Sequence, residues 1–373
     1  MSQQKKRYLS IDVFRGFTML WLLGMETVVI AFSQAMGVPW LDAFAAQFDH
    51  VPWSGLHFED VIFPSLLFIS CATIPVTIKK SGLQDGWQRK ALAIGKRCII
   101  LVICGIVYNI NGAFTDFFHV RYASVLGRIG IVWALTGWLY LYLLLRIPEQ
   151  AQERVLWGLF AFILAAYATV LGTVPTPDYP DAYRFSPEGN IACWVDRNFL
   201  PGTMYNPFND PEGLLSTFSA LGTGLSGVLC SRRLFGEGEA GTQRIKSTAM
   251  LGGMLLLAGL FFSFVQPVNK NLWTAPYVLL VAGMDFLALA LLRYYIDLRA
   301  HSLLFLEIFG RNTIFVYMLQ GGGFILQAVN YLFIVFIVLL PKAWGFFLTY
   351  LLVVLLETLL QYWLYKKNID IHI

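Results

Sequence analysis

The segment Asp49-His50-Val51-Pro52-Trp53-Ser54-Gly55-Leu56-His57-Phe58-Glu59-Asp60-Val61-Ile62-Phe63-Pro64 carries two histidines and three carboxylates, and it runs directly into an apolar stretch, Val61 to Ile78. A spanning helix takes roughly 20 mostly apolar residues, so a run of this kind reads as a membrane helix. Titratable groups gathered at its mouth point to a reactive site at a bilayer surface.

Composition extends that reading to the whole chain. Of 373 residues 57% are hydrophobic and 13% charged, and the mean hydropathy is +0.62. Such a chain is no soluble globular protein. The expected fold is an all-α polytopic membrane protein forming one transmembrane domain over 1–373. Helices are expected near 11–36, 58–78, 91–111, 124–145, 153–173, 213–231, 247–265, 272–292, 311–332 and 343–365. The run 11–36 is too long for a signal peptide and contains Asp12, Arg15 and Glu26, so it reads as an uncleaved helix.

The net charge of +4 is modest, and its basic residues cluster between apolar runs, which argues against a nucleic-acid partner. Lys5, Lys6, Arg7, Lys79, Lys80, Arg89, Lys90, Arg146, Arg154, Arg293 and Arg299 should all be cytoplasmic. Both termini then lie inside, and the segments 37–57 and 174–212 lie outside. Ser302 to Leu340 divides into either one span or two. Lys366 and Lys367 favour one, and hence ten spans, with 302–310 interfacial and 333–342 an apolar connection on the outer face. The long loop 174–212 holds Trp194, Phe199, Tyr205 and Phe208 and is expected to fold as a cap. Four of the five cysteines fall in or beside apolar helices, which leaves Cys193 without a local disulfide partner.

Ionisable groups at membrane depth usually face the bundle interior. Glu26, Asp60, Arg128, Asp285 and Glu357 are of this kind. On a continuous first helix Asp12, Arg15, Met19, Leu23 and Glu26 form one stripe, with Glu26 about 16 Å beyond Arg15. Asp285 and Glu357 fit equally as structural partners of Arg128. His50 stands out among the histidines for its carboxylate neighbours; His57, His119, His301 and His372 read as structural or solvated.

Several motifs resemble a known family. Arg7 to Gly16 (RYLSIDVFRG) resembles the opening motif of transmembrane acyltransferases. His50-Val-Pro-Trp-Ser-Gly-Leu with Asp60-Val-Ile-Phe-Pro64 resembles more narrowly the heparan-alpha-glucosaminide N-acetyltransferase family and its bacterial relatives. Arg121 to Gly130, Asp210 to Thr217, Pro267 to Trp273 and Gly310 to Tyr317 continue the likeness along nearly the whole chain. The resemblance implies transfer of an acetyl group from cytoplasmic acetyl-CoA to a glucosamine-type amine on the far side of a membrane, here the bacterial inner membrane. It implies a catalytic role for His50. Glu26 matches a position where the lysosomal member has an asparagine that works with that histidine.

Histidine exchanges protons near neutral pH, as acyl transfer to an amine requires. His50 can act as base or carry the acetyl group itself. Asp60 or Glu26 can fix its tautomer. Arg15, Lys96, Arg97, Arg128 and Arg311 are candidate phosphate anchors for CoA, although any one of them also fits the positive-inside bias. Asp49, Trp53, Asn269, Lys270 and Trp273 are candidate sugar contacts. No metal is expected, and a homodimer is compatible with the reading. An amino-sugar permease or flippase, or an O-acetyltransferase of an envelope polysaccharide, are the competing functions.

Overall fold

The computed structural model describes residues 8–78, 83, 86–110, 119–236 and 241–371, without the side chains of residues 336 and 337. Lys5, Lys6, Arg7, Lys79, Lys80 and His372 lie outside the described residues. The chain is an all-α polytopic membrane protein. Its membrane-capable helices are α1 (Leu9–Met36), α2 (Glu59–Thr77), α3 (Trp87–Ile110), α4 (Val125–Arg146), α5 (Glu149–Thr173), α6 (Leu214–Phe235), α7 (Gly241–Phe262) and α8 (Ala275–Leu298). A bent pair, α9 (Thr313–Gly321 and Phe324–Val335, at 62°), precedes α10 (Lys342–Lys366).

Small residues determine which helix lies at the centre. Lipid tails are as apolar as leucine, so membrane helices associate through close packing and interhelical hydrogen bonds. The first part of α6 is rich in Ser, Thr, Ala and Gly, and it packs against α2, α4, α5, α7 and α8. The inward faces of α2, α4 and α8 complete one continuous core around it.

Two ends of the bundle differ in character. At the capped end the 50–57 loop meets the α7–α8 connection through Gly55 N–H to Val268 O at 2.8 Å. It meets the 174–212 segment through Trp53 Nε1–H to Phe185 O at 2.6 Å. That segment folds around a short helix, Ile191–Phe199. Arg121 clamps it by donating to both oxygens of Asp210, at 2.7 and 2.6 Å, and to Glu212. The opposite, basic end carries Arg146, Arg232, Arg233, Arg293, Arg299, Arg311, Lys366 and Lys367.

Four local expectations change. The first helix is not straight: Leu23 (φ −90°, ψ 15°) and Gly24 (φ 107°) interrupt it. A positive φ is nearly free for glycine and strained for other residues, so Gly24 allows the turn. The stripe that assumed a continuous helix is therefore broken between Met19 and Glu26. The expected helix 311–332 breaks at Gly322 and Gly323, whose φ is +66°. Residues 333–339, expected as part of an apolar connection, continue the helix Phe324–Leu339. The π-helical turns Arg293–Leu298 also carry α8 past the expected end at 292.

Candidate active site

The reactive loop is held by one carboxylate. Asp60 sits at the start of α2, 1% exposed, and accepts from the backbone N–H groups of Val51 (3.3 Å) and His57 (3.0 Å). Its other oxygen lies 3.0 Å from Nδ1 of His50. Tyr277 fixes the start of α2 in turn, donating its hydroxyl to the Asp60 carbonyl at 2.8 Å. A carboxylate can only accept here, so the geometry assigns the His50 proton to Nδ1 and leaves Nε2 with its lone pair. His50 is 55% exposed at its side chain, against 1% for Asp60. A buried anchor thus presents an accessible base.

Lys270 completes the cluster. Its Nζ lies 3.1 Å from His50 Nδ1, 3.3 Å from His50 Nε2 and 3.5 Å from Asp60 Oδ1, which places an ammonium directly beside the imidazole. Burial pulls the Lys270 pKa below its ordinary value, and the Asp60 carboxylate opposes that shift. A partly desolvated ammonium acts strongly on any negative charge that develops nearby.

Other predicted contacts have structural work. Asp49 accepts the His50 N–H (2.8 Å) and, through its carbonyl, the His57 Nδ1–H (2.8 Å), so it shapes the loop. Trp53 tethers the loop to the cap. Asn269 is fully buried and accepts from Leu272 N–H at 2.9 Å, while its Nδ2 has no partner among the described residues. Trp273 is also fully buried: it donates to Thr223 at 3.0 Å and packs edge-on against Phe63 and Tyr277. A side chain so enclosed is a core strut, not a surface for a sugar.

A cavity of about 260 Å³ holds the second group of predicted residues. Arg15, Arg97 and Arg311 all line it, together with Ser70, Thr73, Thr77, Tyr317 and Ile371. Arg97 stacks over Trp133 at 4.4 Å, and its Nε has no partner among the described residues. Gly16 explains why the Arg-Gly pair of the opening motif belongs here. A Cβ at Gly16 would lie 1.8 Å from Leu306 O, so only glycine lets α1 approach the segment that carries Arg311. The same helix α2 carries Asp60 at its start and lines the cavity from Leu66 onward, an axial rise of about 9 Å.

Two predicted anchors are not brought there. Lys96 is exposed on the outside of α3. Arg128 is 2% exposed and sits at the capped end, donating to Gly213 O (3.0 Å) and Ser216 Oγ (2.6 Å) and lying over the Trp273 ring at 4.9 Å. Its position three residues into α4 puts it near the clamp formed by Arg121. Neither Asp285 nor Glu357 pairs with it: Asp285 accepts from Ser65 at 2.5 Å, and Glu357 has no hydrogen-bond partner among the described residues. Glu26 follows the kink, accepts from Thr27 at 3.3 Å and keeps its other oxygen unpaired. Glu59, which was not singled out as a site residue, is buried beside Asp60 with one unpaired oxygen. Its adjacency to Asp60 was the only sequence signal.

An accessible imidazole on a buried carboxylate, above a cation-lined cavity in a helical bundle, defines a membrane protein equipped for proton transfer and for an anionic ligand. No family model matches the chain. The human protein named heparan-alpha-glucosaminide N-acetyltransferase is 26% identical over 350 residues, covering 80% of this chain and 50% of that protein. The mouse protein of the same name is 23% identical over 342 residues, covering 79% and 50%. The chain spans about half the length of these curated relatives and is distantly related to them.

Proposed function

We propose that the protein is a membrane acetyltransferase that takes the acetyl group of acetyl-CoA from the basic, cytoplasmic end and delivers it to the amine of a glucosamine-type sugar at the capped, extracytoplasmic end. The observation that carries this reading is the His50–Asp60–Lys270 cluster standing on the helix that also lines the Arg15–Arg97–Arg311 cavity. Three guanidinium groups suit the phosphates of CoA. The distribution of Lys and Arg supports the orientation, with both termini inside, in a bacterial inner membrane.

The chemistry follows from the cluster. His50 Nε2 takes a proton as the sugar amine attacks the thioester carbon. The oxyanion that forms lies near the Lys270 ammonium, which stabilises it more than the neutral ground state. The tetrahedral centre collapses as the C–S bond breaks, and the thiolate of CoA is then protonated. Asp60 holds the imidazole in its tautomer and balances its transient charge.

The test is a single-turnover assay of purified protein with acetyl-CoA and glucosamine. His50→Ala should bind CoA as the parent does and lose transfer by roughly two to four orders of magnitude. Parent rates in that variant would remove His50 from the chemistry, and failure of the parent to bind CoA would favour a permease.

A further inference from the structure

The segment that follows α10 turns back over the basic cavity. Asn368 takes a left-handed conformation (φ 53°). Two hydrogen bonds close the turn: Asn368 N–H donates to Tyr365 O at 3.0 Å, and Ile369 N–H donates to Leu364 O at 3.0 Å. This paired pattern ends a helix sharply, and asparagine is among the few residues that take its left-handed position at low cost. Residues 369–371 then run past the residues just before α9. Asn312, 2% exposed, clasps them with both ends of its side-chain amide. Its Nδ2 donates to Ile369 O at 2.9 Å, and its Oδ1 accepts from Ile371 N–H at 2.8 Å.

The clasp brackets Asp370. The Asp370 carboxylate lies 3.8 Å from Arg311, with both side chains partly exposed. The next residue, Ile371, lines the cavity together with Arg15, Arg97 and Arg311, and its 38% exposure puts it at the mouth. The two sides of this contact are unequally fixed. A Cβ at Gly310 would lie 2.1 Å from Asp12 O, so the chain before Arg311 is pressed onto α1, and the Arg311 guanidinium rests over the Tyr365 ring at 4.6 Å. Residues 369–371 are held by the Asn312 clasp and an ion pair open to solvent, attachments weak enough for a ligand to release. Arg15 makes the contrast: the carboxylate beside it, Asp12 at 3.7 Å, stands one turn away on the same helix and moves with it.

We propose that residues 369–371 form an acidic strap across the cavity mouth, with the Asp370 carboxylate standing where a phosphate of CoA binds Arg311, and that CoA displaces this strap on entry. The proposal rests on the acetyl-CoA reading of the cavity. A carboxylate and a phosphate need the same guanidinium N–H groups, and side by side they repel. Binding of the phosphate therefore costs the Asp370 contact.

The experiment measures CoA binding to the purified full chain by calorimetry. Asp370→Asn should bind CoA roughly two- to fivefold more tightly, a small gain because an exposed ion pair contributes little. Arg311→Gln should bind CoA roughly tenfold more weakly, through the remaining Arg15 and Arg97. In that background Asp370→Asn should bring no gain, because the carboxylate no longer blocks a phosphate site. Asp370→Ser serves if Asp370→Asn does not fold as judged by thermal unfolding. In a background without the five native cysteines, Ile371→Cys should react with a maleimide faster once CoA is added. Equal affinities of parent and Asp370→Asn, a gain that persists in Arg311→Gln, or labelling of Ile371→Cys that CoA slows or leaves unchanged would each overturn the strap while leaving CoA binding intact. Absence of CoA binding in the parent would instead overturn the reading on which the strap rests.

Discussion

Arg97 and Arg128 look alike in the sequence, each an arginine inside an apolar helix, yet their surroundings separate them. Arg97 lines the basic cavity, whereas Arg128 lies at the other end of the bundle, where its Nη2 donates to Gly213 and Ser216 and its guanidinium lies over Trp273. Arg97→Ala should therefore weaken CoA binding by about 1.5–3 kcal/mol, the usual loss for a charge-assisted hydrogen bond. Arg128→Ala should leave CoA affinity unchanged and lower the unfolding temperature, because it strips partners from the start of α6. Calorimetry of both variants decides the matter, and a loss of CoA affinity confined to Arg128→Ala would reverse the two roles. The same contrast applies to the aromatic residues: Trp53 and Trp273 both lie in loops near His50, but one ties down the cap and the other fills the core.

Among the elements, the helix Ile191–Phe199 shows how the cap is locked to the bundle. Asp196 accepts the N–H of Leu214 at 2.8 Å and so caps α6 across 18 residues of chain. Burial raises its pKa to about 6 from 3.8, against that hydrogen bond and the charge of Arg128. The folded state therefore holds this proton more tightly than the unfolded one, and stability from this group falls as pH rises from 3.8 to about 6. Asp196→Asn keeps an acceptor oxygen and removes the titration. Its unfolding temperature relative to the parent should therefore be higher at about pH 7 than at about pH 4. A difference that is the same at both pH values would show that Asp196 does not titrate as described. The first helix makes the complementary point: its break at Gly24 is a property of the whole element that no hydropathy profile registers.

For the whole molecule, the proposed orientation puts the basic end in the cytoplasm. In a background without the five native cysteines, Trp40→Cys should be labelled by an impermeant maleimide in intact cells, since Trp40 is 71% exposed at the capped end. Asp370→Cys, at the basic end beside Arg311, should be labelled only after the membrane is opened. Labelling of position 370 from outside would invert the assignment and move the CoA cavity to the other side.

Apolar run length and the clustering of Lys and Arg determined the helical class and nearly all of the spans, because the bilayer allows backbone groups few alternatives to the helix. Adjacency along the chain was also enough to bring His50 and Asp60 together, since ten residues of loop close on the first turn of one helix. Contacts between distant segments were not legible. Lys270 reaches His50 from another loop, and Arg15, Arg97 and Arg311 converge from three separate elements. Arg128 parts from them because its helix enters at the opposite end of the bundle. Glu357 gives a plain signal, a lone carboxylate in an apolar helix, but its neighbours depend on how α10 packs against the kink at Gly24. Only tertiary structure decided these relations, because side-chain packing and interhelical hydrogen bonds choose helix neighbours, and hydrophobicity within a membrane does not distinguish among them.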